Sequence, residues 1–236
     1  ISVWLTHRSV SCFHFSQQDA ACFTEKNPGA DLTVCGSREE FLASLPEAEA
    51  VITWQFRQEW FDLAPRLKML VTPAAGMDYF HVEPPPDVEY SNSSFHGEIM
   101  GETLLAMMLC HARGIIRSQE FLKTDSWPRK GLDSFMKPLR GSVVTILGFG
   151  NIGKWTARLA KGFGVRIYGV KRRMESAPDF FEAGDRICRM EELESLLPQT
   201  DHLVLCLPRD RSMDNIINSR TLGLMKKTAA LYNVGR

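Results

Sequence analysis

Apolar and polar residues alternate along the chain with two different periods. Short apolar runs predict buried strands at residues 1–5, 31–35, 50–53, 68–72 and 88–91 of the first half. Helix-like segments separate these runs, and one of them, residues 37–45, opens with Ser37 followed by Glu40, the spacing of a capping box. Strands that alternate with helices predict parallel βαβ units rather than an all-β sandwich.

A long helical pattern at residues 98–122 separates the two halves of the chain. Its apolar side, which predicts contact with a core or a partner, is formed by Leu104, Leu105, Met108 and Leu109. Residues 123–140 are interrupted by proline and predict a connecting loop. Strands are then predicted at 143–147, 166–170, 186–189, 202–207 and 229–233, with helices at 154–163 and 191–197. Two α/β domains are the simplest organisation.

Composition restricts the classes of partner and compartment. The 28 basic and 28 acidic residues cancel, so no overall field attracts nucleic acid or an anionic membrane. The six cysteines show no spacing typical of a disulfide framework or a zinc site, which fits a reducing cytosol. The chain opens without a signal-peptide pattern and holds no uncharged apolar run of about 18 residues. We therefore expect a cytoplasmic protein with no metal site.

A glycine-rich turn follows the strand predicted at 143–147. It consists of Gly148, Phe149, Gly150, Asn151, Ile152 and Gly153. In such a turn the first glycine permits the tight bend, the second lets a pyrophosphate approach the backbone, and the third lets the next helix pack on the strand. The helix that begins there offers unpaired N–H groups to the phosphates. A strand–helix turn without a ligand is the alternative, and the combination of strand, glycines and helix favours a dinucleotide site.

The residue after the next predicted strand distinguishes the two nicotinamide dinucleotides. NAD enzymes usually place Asp or Glu there, against the ribose 2′-hydroxyl. Here the position holds Lys171, followed by Arg172 and Arg173. Three cations attract a 2′-phosphate, which favours NADP and leaves NAD possible. A solvated basic loop is the alternative interpretation.

Together with other segments, these motifs resemble the D-isomer-specific 2-hydroxyacid dehydrogenases over most of the chain. The segments, which occur in the order that the family has, are residues 74–78, 96–102, 139–171, 200–208 and 224–236. The resemblance implies two Rossmann-like α/β domains. Residues 1–92 would form a flavodoxin-like substrate domain and residues 93–236 a doubly wound NAD(P)-binding domain, with the substrate in the cleft between them.

The resemblance also implies roles for individual residues. Ala75 and Gly76 would present N–H groups to the substrate carboxylate, and His96 would lie near the substrate. Arg236 would be the catalytic arginine that clamps the carboxylate and polarises the reacting carbonyl. The implied cofactor contacts are Met100, Gly148, Phe149, Gly150, Asn151, Ile152, Gly153, Lys171, Arg172, Arg173, Cys206, Leu207, Pro208, Val234, Gly235 and Arg236.

The sequence departs from the family pattern in three places. Lys171 replaces the usual acidic residue, and Asp210 and Met213 stand where the family often has threonines that open the next helix. The sequence also ends at Arg236, before the position of the family's acid–base histidine and of the carboxylate that orients it. None of the six histidines matches that position (His7, His14, His81, His96, His111 and His202). We therefore expect a C-terminally truncated form of the enzyme.

The expected reaction is the NADPH-linked reduction of a 2-oxo acid to a D-2-hydroxy acid, as in glyoxylate and hydroxypyruvate reductases. A homodimer formed through the long apolar helix is expected under every interpretation. Two alternatives remain at this point: a non-catalytic, nucleotide-sensing relative that opens and closes as a switch, and a dimeric interaction module whose glycine turn is vestigial.

Overall fold

The computed structural model describes residues 1–6, 10–76, 79–123, 131, 136–208 and 211–235. It divides into two compact units, Ile1–Ser94 and Phe95–Arg236, and each unit is built on one five-stranded sheet. All strand pairs in both sheets are parallel. The predicted α/β class is therefore confirmed.

The sheet of the first unit has the strand order β2-β1-β3-β4-β5. Its strands are β1 (Ser2–Trp4), β2 (Thr33–Val34), β3 (Ala50–Thr53), β4 (Met69–Thr72) and β5 (Glu89–Asn92). Helices α1 (Gln17–Lys26) and α2 (Arg38–Ser44) and short 3₁₀ turns connect them. This is the flavodoxin-like order, as predicted. Phe41 and Leu45 are fully buried and pack in the core with Trp60, which lies in the 3₁₀ turn after β3.

The helix starts in this unit confirm one half of the predicted capping box and reveal a helix that was not predicted. The Ser37 hydroxyl accepts a hydrogen bond from the Glu40 N–H at 3.1 Å, as the capping box requires. The Glu40 carboxylate, however, accepts from the N–H of Gly36 at 2.8 Å instead of from that of Ser37. Helix α1 was not predicted, because none of its residues is buried and it therefore has no apolar stripe. Ser16 begins α1 through a complete capping box with Asp19.

The sheet of the second unit has the order β10-β9-β6-β7-β8. Its strands are β6 (Val143–Leu147), β7 (Arg166–Lys171), β8 (Arg186–Arg189), β9 (His202–Leu205) and β10 (Ala230–Asn233). Its helices are α3 (His96–Ala112), α4 (Ile115–Leu122), α5 (Asn151–Lys161), α6 (Leu193–Leu196) and α7 (Ser219–Leu224). The chain winds outward from β6 to β8 and then returns to the other side of β6. This is the predicted doubly wound topology.

The helix predicted at 98–122 is in fact two helices. Gly114 adopts a left-handed conformation with φ of 59°, which ends α3, and α4 leaves at an angle of 51°. The prediction of one continuous helix is therefore wrong at this glycine. The predicted core-facing side is confirmed, because Leu104 and Met108 are fully buried against the second sheet's core. The loop predicted at 123–140 lies mostly outside the described residues.

Two glycines bring α3 unusually close to α5. A Cβ atom on Gly97 would collide with Cδ1 of Trp155, and one on Gly101 would lie 3.1 Å from the backbone nitrogen of Thr156. The two glycines are four residues apart and so share one face of α3. This contact places the start of α3 beside the start of α5.

No single helix in the described ranges is both long and apolar enough to cross a membrane. Among the helices that the structure describes, only α3 and α4 taken together reach that length and composition, and they do so as a bent pair.

Candidate functional site

The centre of the second sheet contains the point where the chain changes winding direction. Strands β6 and β9 pair there, with Leu147 opposite Leu205. The chain leaves β6 toward β7 and leaves β9 toward β10 on the other side. Gly148 and Cys206 are the first residues beyond the two carboxyl ends. In doubly wound sheets, ligands bind in the crevice at this position.

The three glycines of the turn differ in what a side chain at each position would contact. Gly148 has φ of 97°, and a Cβ there would lie 2.5 Å from the carbonyl oxygen of Cys206. A Cβ on Gly153 would lie 2.6 Å from the carbonyl oxygen of Gly148. Gly150 has no heavy atom within 4 Å of its Cβ position, so packing does not demand a glycine there. An open approach to the backbone at the second glycine is what a pyrophosphate needs.

Helix α5 begins directly at this turn and points its amino end into the crevice. Gly150 is its N-cap, in extended conformation, and no side chain caps the helix. Because Gly150 has no side chain, the N-cap residue itself supplies no side-chain acceptor to the N–H groups of the first helical turn. Such a helix end stabilises an anion through these N–H groups and through the helix dipole.

Phe149 fixes the turn to the neighbouring strand. Its ring is 1% exposed and lies against Gly169 of β7, where a Cβ would come within 2.6 Å of the ring. Its N–H group donates to the carbonyl of Val170 at 3.2 Å. The Phe149 side chain therefore packs in the core, and contact with a cofactor through this residue would have to involve its backbone.

The basic residues at the end of β7 are accompanied by a carboxylate. Lys171 is the last residue of β7, and its Nζ lies 2.8 Å from Oε1 of Glu175. The same Oε1 lies 3.1 Å from Nζ of Lys154 on α5. The hydrogen bond from Lys171 holds the pKa of Glu175 below its ordinary value, although burial acts in the opposite direction. Arg172 and Arg173 follow on the exposed surface.

Sequence reasoning identified the three cations but not Glu175 or Lys154. The spacing of Lys171 and Glu175, four residues apart, was a visible signal for a local ion pair. The spatial proximity of Lys154 had no such signal, because it depends on how α5 packs beside β7.

The remaining predicted cofactor residues cluster at the ends of β9 and β10. Val234 donates its N–H to the carbonyl of Leu205 at 3.1 Å, and a Cβ on Gly235 would lie 2.8 Å from the carbonyl oxygen of Leu207. Burial raises the pKa of the Cys206 thiol to about 12, so this group stays a neutral thiol. Pro208 is exposed next to them. These residues share the carboxyl edge of the sheet with the glycine turn.

Other predicted residues lie near this edge or outside the described ranges. His96 is the first residue of α3, where its ring contacts that of Phe95, and Met100 lies one turn further along. A Cβ on Gly97 would lie 2.6 Å from Nδ2 of Asn151, so this end of α3 adjoins the glycine turn. Arg236, the predicted catalytic arginine, and Asp210 lie outside the described residues.

The predicted carboxylate-binding loop belongs to the first unit. It follows β4 at the carboxyl edge of that sheet, and its carbonyl groups are held by neighbouring groups. Asn92 donates its side-chain amide to the carbonyl of Ala75 at 2.6 Å, and Tyr79 donates its N–H to that of Gly76 at 3.2 Å. Sequence reasoning did not identify Asn92. Met77 and Asp78 of the same motif lie outside the described residues.

The buried histidine of the second unit lies far from this chemistry. His202 begins β9, at the amino edge of the sheet, and its Nδ1 lies 2.9 Å from the hydroxyl of Tyr232. Burial, with a contribution from nearby His111, lowers the pKa of His202 to about 4. The ring is therefore neutral and at the opposite edge from the glycine turn. In the portion of the chain that the structure covers, no three His, Cys, Asp or Glu residues form a potential metal site.

Comparison with protein families and curated proteins gives a consistent result. Residues 105–236 match the family model for the NAD-binding domain of D-isomer specific 2-hydroxyacid dehydrogenases. The chain is 31% identical over 217 residues to a glyoxylate reductase of Pyrococcus furiosus, covering 84% of this chain and 61% of that protein. It is 31% identical over 208 residues to glyoxylate/hydroxypyruvate reductase B of Yersinia pestis, with coverages of 85% and 62%. The chain thus spans about three-fifths of the length of these relatives.

Solved structures show the same fold. One is a D-isomer specific 2-hydroxyacid dehydrogenase of Xanthobacter autotrophicus in complex with NADPH, with TM-score 0.77 and 20% identity over 100% of this chain and 72% of that one. Another is a D-lactate dehydrogenase of Aquifex aeolicus complexed with NAD and lactic acid. Its TM-score is 0.70 at 20% identity, and the match covers 100% of this chain and 68% of that one.

Proposed function

Because the chain belongs to the D-isomer specific 2-hydroxyacid dehydrogenase family, we propose that it serves an NADPH-linked reduction of a 2-oxo acid to a D-2-hydroxy acid. The observation that carries this proposal is the glycine turn at the winding switch of β6 and β9, with Lys171 at the end of the adjacent strand. The turn suits a pyrophosphate, and the cation suits a 2′-phosphate.

The proposed roles divide between binding the dinucleotide and binding the substrate. Gly150 and the first turn of α5 hold the pyrophosphate, while residues 206–208 and 234–235 line the rest of the dinucleotide path. The bound nicotinamide supplies the hydride. The N–H groups of Ala75 and Gly76 bind the substrate carboxylate. The carbonyl groups of the same two residues accept hydrogen bonds from Asn92 and Tyr79, which hold the loop in place. Arg236 clamps that carboxylate and polarises the reacting carbonyl.

The preference for NADPH rests on charge. A 2′-phosphate accepts charge-assisted hydrogen bonds from Lys171, Arg172 and Arg173, whereas the 2′-hydroxyl of NADH gains much less from three cations. Because cells keep NADPH largely reduced, the reductive direction is the expected one. Glyoxylate and hydroxypyruvate are the first substrates to test, since the relatives named above are called reductases of these acids.

Cofactor binding provides the direct test. NADPH and NADH are titrated against the chain while tryptophan fluorescence is followed, since Trp155 lies on α5 one turn from the glycine turn. We expect saturable binding with NADPH the tighter ligand. Replacing Lys171, Arg172 and Arg173 together by methionine should weaken NADPH binding by at least about thirtyfold and NADH binding far less. Equal losses for both cofactors would refute the NADPH preference, and no saturable change at millimolar NADPH would refute the dehydrogenase function.

A matched control separates this effect from a general loss of positive charge. Arg220 is a well-exposed cation of the same unit that pairs with Glu194 on a different element from β7. The variant Arg220→Met should bind both cofactors as the parent chain does.

A homodimer is part of the same proposal. Large apolar side chains are exposed along α3 and α4, among them Ile99 at 58%, Ile116 at 62% and Leu122 at 54%. Patches of this kind commonly mark a protein–protein contact. Light scattering coupled to gel filtration should give twice the mass of the chain, and Ile116→Glu should shift it toward the monomer.

We also propose a cytoplasmic location. All six cysteines are free, and none is paired in a disulfide, which fits a reducing compartment. Fractionation of cells that express the tagged chain should recover it with cytoplasmic markers; recovery with secreted or membrane fractions would contradict this.

A further inference from the structure

The carboxylate of Glu175 lies beside Lys171, one of the residues proposed to select NADPH over NADH. Oε1 of Glu175 lies 2.8 Å from Nζ of Lys171, and the Glu175 side chain is 30% exposed. Lys171 itself is 21% exposed, so much of its surface is covered. The cation that would read a 2′-phosphate therefore already has an anionic partner.

The same carboxylate has a second cation within reach. Nζ of Lys154 lies 3.1 Å from Oε1 and 3.2 Å from Oε2 of Glu175. Lys154 belongs to α5, and its backbone N–H donates to the carbonyl of Gly150 in the glycine turn. Glu175 thus links the loop after β7 to the helix that begins at the pyrophosphate position. If it leaves Lys171, it keeps a partner in Lys154.

We propose that Glu175 is a specificity-determining residue that competes with the ribose 2′-phosphate of NADP for Lys171. This inference rests on the proposed dinucleotide function and extends it. With NADH bound, the carboxylate stays on Lys171, so this lysine keeps its anionic partner beside the 2′-hydroxyl. With NADPH bound, the phosphate takes Lys171 and Glu175 remains on Lys154.

Charge explains why the exchange is feasible. A phosphomonoester carries about −1.5 to −2 charges near pH 7, against −1 for the carboxylate, so the phosphate is the stronger ligand for the ammonium group. Displacement still has a cost, because two anions then share one small, partly covered region. Glu175 therefore narrows the difference in affinity between NADPH and NADH, which makes the chain tolerant of both cofactors.

The test uses ligands that differ only in the phosphate of interest. Adenosine 2′,5′-bisphosphate and adenosine 5′-monophosphate are titrated by calorimetry into the chain and into Glu175→Gln, which keeps the side-chain shape without the charge. The measured quantity is the ratio of the two affinities. We expect Glu175→Gln to raise the preference for the bisphosphate by about fivefold, the scale of a partly exposed ion pair.

Two further variants separate competition from a purely structural role. Lys154→Met removes the second partner and leaves the carboxylate on Lys171 alone, so the preference for the bisphosphate should fall. Glu182→Gln breaks an ion pair of the same helix, with Lys161 at 2.8 Å, at the other end of α5. That variant should leave the ratio unchanged.

The outcomes for the parent chain and for the variants are independent. If the parent chain shows no preference for the bisphosphate, the proposed NADPH preference fails. If Glu175→Gln leaves the ratio as it is in the parent chain, the competition fails, whatever the parent prefers. A rise in Glu175→Gln together with a fall in Lys154→Met supports the competition even if the parent chain binds both ligands equally.

Discussion

Gly148 and Cys206 approach each other so closely that no side chain fits between their backbones. A Cβ on Gly148 would lie 2.5 Å from the carbonyl oxygen and 2.7 Å from the carbonyl carbon of Cys206. The contact joins the ends of the two central strands at the winding switch. Backbone conformation adds to the requirement, because Gly148 has φ of 97°.

Gly148→Ala should therefore destabilise the second unit. The left-handed conformation and the clash with backbone atoms both disfavour alanine, and together they should cost more than about 2 kcal/mol. Urea unfolding measures this loss directly. A variant as stable as the parent chain would show that the two strand ends can separate without cost.

Gly150→Ala is the matched comparison and should give the opposite pattern. No heavy atom lies within 4 Å of the Cβ position, and the backbone φ of −93° suits alanine. The unfolding free energy should stay within about 1 kcal/mol of the parent value. NADPH affinity should nevertheless fall by at least about tenfold, because the methyl group occupies the approach of the pyrophosphate. Unchanged affinity would mean that phosphate does not pass over this glycine.

The stability of the second unit should depend on pH through His202. Burial and the proximity of His111 lower its pKa in the folded state to about 4, from an ordinary value of 6.5. Between these values the unfolded chain binds a proton that the folded chain excludes, so stability falls as the pH falls from about 6.5 toward 4. This group alone should lower the unfolding free energy by about 2 kcal/mol between pH 7 and pH 5.

The contribution of His202 is isolated by His202→Gln, which keeps a polar group beside the Tyr232 hydroxyl but does not titrate. Unfolding curves for both chains at pH 7 and pH 5 give the slope that belongs to the histidine. The parent chain should lose more stability than the variant over this interval. Equal losses would show that the pH dependence does not come from His202.

The glycine turn and the neighbouring Lys171 were predictable because several local sequence signals coincide there. Residues 143–147 are β-branched and apolar, the glycines follow at once, and a helix begins at Asn151. Each of these features is set by near neighbours in the sequence, so the turn and the cation at Lys171 could be located without a structure. The alternation of strands and helices predicted parallel βαβ units, and the family resemblance implied their doubly wound order.

The features that escaped prediction depend on tertiary packing or lack a periodic signal. Helix α1 buries no residue, so no periodic apolar pattern indicates it in the sequence, although Ser16 caps it. Gly114 ends a helix, yet glycine within a helical pattern is often tolerated. The ion pair between Glu175 and Lys154 joins two elements that only the folded sheet brings together. Asn92 likewise reaches Ala75 because β5 lies next to β4.

The loop before β8 contains a buried carboxylate whose loss should be costly. Asp185 has a side chain that is 1% exposed, and it accepts hydrogen bonds from Nζ of Lys161 at 2.8 Å and from the N–H groups of Ile167 at 2.7 Å and Glu182 at 2.8 Å. Burial tends to lower the pKa of Lys161, but the hydrogen bonds with Asp185 and Glu182 outweigh it and raise that pKa. Asp185→Asn should therefore cost about 3 kcal/mol in urea unfolding, because it weakens a buried charge pair and leaves Lys161 in partial burial.

Glu182 offers the same chemistry without the burial. Its carboxylate also lies 2.8 Å from Nζ of Lys161, but its side chain is 72% exposed. Glu182→Gln should cost at most about 1 kcal/mol, since water already solvates most of that carboxylate. The two carboxylates thus share the partner and the distance, and they differ in their exposure and in the two backbone hydrogen bonds that Asp185 accepts. If both substitutions lowered the unfolding free energy by the same amount, burial would not be what makes Asp185 important, and its backbone hydrogen bonds would contribute little.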